Sequence, residues 1–170
     1  MRDKVKTEAE LARLLDQQRT SGRRIVFTNG CFDLLHVGHV RYLEEAKRLG
    51  EILVVAVNSD RSAAELKGLS RPINNAQERA ELLGALACVD YVTIFDDPDP
   101  YGIIAMLKPD VLVKGGDWTR KTTVGRDIVE AKGGRVVIIP YVEGVSTTGL
   151  IDRILTRCQS STSRKSSPEQ

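Results

Sequence analysis

Phe27-Thr28-Asn29-Gly30-Cys31-Phe32-Asp33-Leu34-Leu35-His36-Val37-Gly38-His39-Val40 carries the sharpest change of pattern in the chain. It begins at the end of Ile25-Val26-Phe27, an uninterrupted apolar run of the kind found in a strand covered on both faces. Asn29 and Gly30 are expected to supply a turn with special backbone angles. From Arg41 to Leu49 the period is helical. The chain has two histidines, His36 and His39, and both fall where the strand gives way to the helix. Their spacing puts both rings on one side of a first helical turn. A helix start adds unpaired N–H groups and partial positive charge. Gly38, between them, would let an anion approach the backbone. The combination predicts a phosphate site suited to a nucleoside triphosphate. Two other readings suit the same pair: half of a zinc site completed by Cys31 or Asp33, and surface decoration.

Working outward, the same alternation repeats. Thr7-Glu8-Ala9-Glu10 has capping-box spacing and opens a helix over 7–19, striped with Leu11, Leu14 and Leu15 and closed by Ser21-Gly22. Gly50 is expected in a left-handed position that closes the second helix. Ile52–Val57, Tyr91–Phe95, Val111–Val113 and Val136–Ile139 read as strands two to five. Between them, a polar basic loop is expected at Leu66–Ile73 and a helix from an Asn75 cap to about Ala87. A short helix should end at Leu107, another should span about Val124–Ala131, and a last one should run from Leu150 to about Arg157. Short connections between alternating strands and helices specify an α/β fold: a Rossmann-like five-stranded parallel sheet with helices on both faces. The expected organisation is an N-terminal helix packed on the domain (1–22), the domain itself (23–158), and a Ser-rich disordered tail (159–170).

Bulk composition narrows the function. The chain has 170 residues, 41% of them hydrophobic and 28% charged, and a net charge of +2. That describes a single domain with an ordinary surface and no signature of nucleic-acid or membrane binding. No apolar run approaches the roughly 18–20 residues that span a bilayer. Met1–Lys6 carries charges with no apolar segment behind them, unlike a secretory signal. The three cysteines, Cys31, Cys88 and Cys158, are too widely spaced for a disulfide framework. The expected compartment is the cytoplasm.

Open parallel sheets bind ligands beyond the carboxyl ends of their strands, where strand order reverses. Asn29, Gly30, Cys31 and Phe32 follow strand one, and Asn58 to Asp60 follow strand two. Lys114 to Trp118 follow strand four, and Tyr141 to Thr148 follow strand five. All are expected at one crevice. Ser146-Thr147-Thr148 suits a simple N-cap and also a second phosphate-facing helix start. Lys67 and Arg71 read either as a solvated basic loop or as a clamp on phosphate, and Arg79, one turn past the Asn75 cap, as a third cation in reach. Lys114 leads into Gly115-Gly116, which leave the backbone open to a ligand. Asp117 would accept from a sugar or base or help hold a cation, and Trp118 would stack or simply pack.

These residues resemble the signatures of the HxGH nucleotidyltransferases. Thr28 to His39 resembles the nucleotide-binding signature, and Ser146-Thr147-Thr148 the C-terminal one. Val57-Asn58-Ser59-Asp60, Leu66-Lys67-Gly68, Arg71-Pro72-Ile73-Asn74, Val113-Lys114-Gly115-Gly116-Asp117 and Glu143-Gly144 are most similar to the D-glycero-β-D-manno-heptose 1-phosphate adenylyltransferases. Those occur alone or as the C-terminal half of a bifunctional sugar kinase and nucleotidyltransferase. The resemblance implies transfer of AMP from ATP to the sugar 1-phosphate, with Mg²⁺, in making lipopolysaccharide core or surface glycans. It implies a separate heptose kinase in the pathway and allows a homodimer or higher homo-oligomer. It assigns catalysis to His36, His39 and Lys67. Nucleotide binding falls to Asn29, Gly30, Cys31, Phe32, Gly38, Gly116, Asp117, Ser146, Thr147 and Thr148. Substrate binding falls to Asn58, Asp60, Arg71, Arg79 and Lys114, and no residue is a metal ligand. Glycerol-3-phosphate cytidylyltransferases share the first signature and a Gly-Asp-Trp segment. They usually carry arginine where this chain has Tyr141, which argues against cytidylyl transfer. A non-catalytic nucleotide-binding module is the remaining class.

Overall fold

The computed structural model describes residues 2–116, 122–140 and 144–164. Among them a 3₁₀ turn, Arg2–Lys4, precedes α1 (Glu8–Thr20) and β1 (Ile25–Gly30). Then follow α2 (Val37–Lys47), β2 (Ile52–Asn58), α3 (Asp60–Lys67), α4 (Ala76–Gly84) and β3 (Tyr91–Phe95). The chain continues through α5 (Tyr101–Leu107), β4 (Val111–Gly115), α6 (Arg126–Ala131), β5 (Arg135–Ile139) and α7 (Thr147–Arg164). The five strands form one parallel sheet in the order β3-β2-β1-β4-β5, as the Rossmann-like reading expects. The chain crosses from one half of the sheet to the other beside β1, so a crevice opens between the carboxyl ends of β1 and β4.

Alternation along the strands sorts the core into two layers. Ile25, Phe27, Val54, Ala56 and Leu112 face α1, α5 and α6, where Leu11, Leu15, Ile103, Ile104, Leu107 and Val129 meet them. Val26, Leu53, Val55, Val57 and Val113 face α2 and α4, against Leu43, Ala46, Ala80 and Leu83. Helices therefore cover both faces, which is why the strands read as continuous apolar runs. The capping box at Thr7 forms as the spacing predicts, with Thr7 and Glu10 exchanging side-chain and backbone bonds. Ahead of α1, Val5 bridges Val92, and Lys4 Nζ donates to Leu86 O and Val89 O at 3.1 and 2.6 Å. The N-terminal segment thereby covers the outer edge of β3.

Several local readings differ. Asn29 and Gly30 complete β1 rather than turning the chain. The left-handed residue is Phe32, at φ 44°. Gly50 is not left-handed; a Cβ there would meet Arg24 O at 2.7 Å and Val26 Cγ2 at 2.8 Å. It is glycine because β1 passes against it. α3 was not expected: two turns with little apolar content gave no period, yet Ser59 Oγ accepts from Ser62 N at 3.1 Å and starts a helix that ends at Lys67. α7 runs on to Arg164, past Arg157, because no glycine or proline interrupts 150–164.

Gly50→Ala is expected to lower unfolding free energy by about 2 kcal/mol, because backbone atoms must yield to the new methyl group. Gly22→Ala, with open space around an added Cβ but φ +71°, should cost about 1 kcal/mol from conformation alone. Urea denaturation of both variants measures the difference.

Candidate functional site

The crevice beyond β1 and β4 has a volume of about 820 Å³. Asn29, Gly30, Cys31, Phe32, His36, Gly38 and His39 line it from β1 and the start of α2. Asn58, Lys67 and Arg71 approach from the β2 side, Lys114 from β4, and Ser146, Thr147 and Thr148 from the start of α7. Gly116 is exposed and lies outside the lining, next to Gly115, which is within it. Asp117, Trp118 and Tyr141, and the tail beyond Arg164, lie outside the described residues.

His36 is the N-cap of α2, and its Nδ1 accepts from His39 N at 3.4 Å. The neutral ring then carries its proton on Nε2 and presents it as a donor. The His39 ring stacks on His36, centroids 3.8 Å apart and 17° from parallel. Phe32 meets the His39 ring edge-on, centroids 5.3 Å apart. Gly38 has a reason the sequence did not show: a Cβ would lie 3.0 Å from the His36 ring, so its absence lets that ring fold over the helix start. Burial lowers the pKa of His36, and burial with the neighbouring His36 lowers that of His39 to about 4. Both rings are neutral donors near neutral pH. His39 Nδ1 is enclosed without a partner, a position that suits an uncharged ring.

The second helix start divides its hydroxyls. Ser146 Oγ caps α7 by accepting from Gly149 N at 3.0 Å, and Thr147 Oγ1 donates to Leu34 O at 3.3 Å. The Thr147 bond ties α7 to the loop that precedes His36. Thr148 Oγ1 has no partner among the described residues and faces the crevice.

The cations also separate. Lys67 is exposed at the end of α3 and pairs with nothing among the described residues. Lys114 is nearly buried, and its Nζ donates to Asn29 Oδ1. Arg71 Nε donates to Asp33 Oδ2 at 2.5 Å, while Asp33 Oδ1 accepts from Ile73 N and Asn74 N at 2.7 and 3.2 Å. Asp33, 4% exposed, therefore anchors the loop that carries Arg71. Among the described residues no three His, Cys, Asp or Glu groups converge as a metal site.

Arg79 does not reach the crevice. It is fully buried, donating to Asn74 O at 3.0 Å, Cys31 O at 2.5 Å, and Asn58 O and Asp60 Oδ1 at 2.8 Å each. Its donors hold the chain rather than a substrate, and Asp60, outside the lining, is its counter-charge. Asn58 is likewise engaged, its Nδ2 donating to Ser62 Oγ at 2.9 Å. Sequence reasoning missed Asp33 as an anchor and Tyr42 as part of the lining. Tyr42 stands three residues after His39 on the same helix face, a spacing that marks it, and its hydroxyl lies 2.7 Å from Thr28 Oγ1.

A cytidylyltransferase-like family model matches residues 27–164. The bifunctional protein HldE of Syntrophotalea carbinolica is 54% identical over 154 residues, 91% of this chain and 31% of that protein. The bifunctional protein HldE of Koribacter versatilis is 55% identical over 150 residues, 88% and 31% of the two chains. The chain thus spans about a third of the length of these curated relatives. Among solved structures, the lipopolysaccharide core biosynthesis protein of Thermoplasma volcanium matches at TM-score 0.57 and 31% identity, over 71% of this chain and 98% of that one. Pantothenate synthetase from Thermus thermophilus matches at TM-score 0.57 and 18% identity, over 82% and 62%, a likeness of fold alone.

Two outcomes follow from the geometry. Arg79→Met should cost about 3–5 kcal/mol, because it strands the buried Asn58 O, two partly buried carbonyls and the Asp60 charge, whereas Lys67→Met should change stability by less than about 0.5 kcal/mol in urea melts. His39 takes up a proton near pH 6.5 unfolded but only near 4 folded. Its share of stability is therefore complete above pH 6.5 and lost as pH falls to 4. His39→Asn should flatten that part of the pH profile by about 2 kcal/mol at pH 4.5, read from urea melts across pH 4.5–7.

Proposed function

Because the chain belongs to the cytidylyltransferase-like, HxGH nucleotidyltransferase family, we propose that it transfers AMP from ATP to D-glycero-β-D-manno-heptose 1-phosphate, releasing pyrophosphate. The observation that carries this reading is the facing pair of helix starts, one bearing stacked neutral histidines and the other a free threonine hydroxyl, across a crevice edged by lysines. Two such termini suit a polyphosphate. Identity above 50% to the HldE proteins and 31% to a lipopolysaccharide core biosynthesis protein favours the heptose reaction over other members. The product would serve lipopolysaccharide or surface-glycan synthesis. Its acceptor must come from a sugar kinase, and ATP and reduced thiols favour the cytoplasm. No described helix is long and apolar enough to cross a membrane.

A sugar-phosphate oxygen is already anionic near neutral pH, so no protein base is needed. That oxygen attacks the α-phosphorus in line as the bond to the β-phosphate oxygen breaks and pyrophosphate leaves. The His36 Nε2–H and the His39 ring donate to phosphate oxygens whose charge grows in the transition state. Lys67 and Arg71 neutralise the acceptor phosphate or the triphosphate, and Lys114 works from the β4 side. The α7 start and Thr148 hold the outer phosphates. Asn29, Gly30, Cys31 and Phe32 shape the nucleotide wall. Mg²⁺ would enter with ATP and neutralise charge on its phosphate oxygens.

His39→Ala is expected to lower kcat about 10²- to 10³-fold while unfolding free energy at pH 7.5 changes by less than about 2 kcal/mol. Pyrophosphate release, with ATP and CTP each paired with heptose 1-phosphate and glycerol 3-phosphate, checks the assignment. Turnover should be confined to ATP with heptose 1-phosphate. Preference for CTP with glycerol 3-phosphate, or near-normal turnover by His39→Ala, would sink it.

A further inference from the structure

A second cavity, of about 520 Å³, lies at the opposite end of the sheet, where β1, β4 and β5 begin. Arg19, Arg23, Arg24, Lys132 and Arg135 line it, against one acid, Asp110. Asp110 is already engaged: its Oδ2 accepts from Ile25 N at 2.7 Å. Arg19 is fixed in place and already paired, donating to Leu107 O and Lys108 O and to Asp16 Oδ1 at 2.6 Å. Lys132 and Arg135 are exposed and have no side-chain partner among the described residues, and Arg23 is held only to Gln18 Oε1 at 3.0 Å. Arg19 and Lys132 alone would suit the carbonyl ends of α1 and α6. Arg23, Arg24 and Arg135 sit on the strand side, beyond what those helix ends require. Two floor residues, Gly22 and Gly133, have nothing within 4 Å of where a Cβ would stand, so a ligand can come down onto bare backbone.

We propose that this cavity is a second anion site, selective for a polyphosphate. Arg19 is paired with Asp16 and Glu51 lies beside Arg24, so the unpaired positive charge is that of Arg23, Lys132 and Arg135, which suits a compact multivalent anion. Such a cluster repels itself when empty and is relieved by a compact multivalent anion. Guanidinium groups present paired donors that match phosphate oxygens. The site is separate from the catalytic crevice: β1 spans six residues between them, roughly 16 Å at the usual rise per residue. The proposal is independent of which acceptor the crevice uses.

Amide spectra of the full chain, titrated with inorganic tripolyphosphate at 0.15 M salt, test it. The Gly22, Gly133 and Gly134 amides should shift saturably, and should do so equally in His36→Ala/Lys67→Ala, where the crevice is disabled. Arg23→Ala/Arg135→Ala removes two exposed side chains and should weaken that response at least tenfold while Gly30 and Gly38 still respond. A parallel titration with ATP separates the sources: tighter binding than tripolyphosphate assigns a nucleotide, and equal binding assigns the phosphate chain alone. Unmoved amides at Gly22, Gly133 and Gly134, or shifts as large in Arg23→Ala/Arg135→Ala as in the native chain, overturn the proposal.

Discussion

The guanidinium of Arg79 is the constraint on which the crevice depends. Parallel strands that end together leave carbonyls without ladder partners, here Cys31 O just past β1 and Asn58 O at the end of β2. Unpaired, the buried Asn58 O would cost about 1–3 kcal/mol and the partly buried Cys31 O less. One planar fork with five donors satisfies both, and Asn74 O before α4 as well, while Asp60 balances its charge. A lysine ammonium, compact and strongly hydrated, lacks the planar spread to serve all three. The ends of β1 and β2 and the loop entering α4 are thus tied together through one side chain. Asp33 extends that tie by gripping the backbone of Ile73 and Asn74 and the side chain of Arg71. The wall that carries His36 is therefore braced from beneath by a cation and from the side by an anion, neither of which meets solvent freely.

The fold was largely legible because its signals are long-range in pattern and simple in cause. Five apolar runs separated by helical stretches admit few arrangements, and the parallel sheet with two covered faces is the one found. Short-range inference fared less well. In the sequence Gly30 and Gly50 look like conformational glycines, yet each is small because a neighbour presses on it: an added Cβ would meet the Phe32 ring at 3.1 Å and Arg24 O at 2.7 Å. Crowding of that kind comes from residues the sequence does not place side by side. α3 carries little pattern in the sequence because its first turn depends on Ser59 rather than on an apolar stripe.

The candidate site divides along the same line. Residues at strand ends and helix starts, such as His36, His39, Lys114 and Thr148, could be located from topology, and the structure brings them to one crevice. What topology could not tell was which cation faces solvent and which faces the core. Lys67 and Arg79 look alike as basic residues near helix ends. Only Arg79 points into a gap between strand ends, and only Lys67 is left exposed. Likewise Ser146 and Thr147 spend their hydroxyls on the fold, leaving Thr148 for a ligand.

The distribution of charge follows from the stacked rings. Two imidazoles 3.8 Å apart cannot both carry a proton cheaply, and burial disfavours even one on His39. Attraction of a polyanion must therefore come from elsewhere: from the exposed Lys67 and from the two helix starts. In the proposed reaction the histidines would act at short range, as neutral donors whose hydrogen bonds strengthen as negative charge builds on a departing phosphate. A permanently cationic pair would bind the ground-state polyphosphate as eagerly as the transition state and gain little in rate. Keeping the rings stacked, partly buried and uncharged, with Phe32 set edge-on to His39, would reserve their contribution for the step in which charge moves.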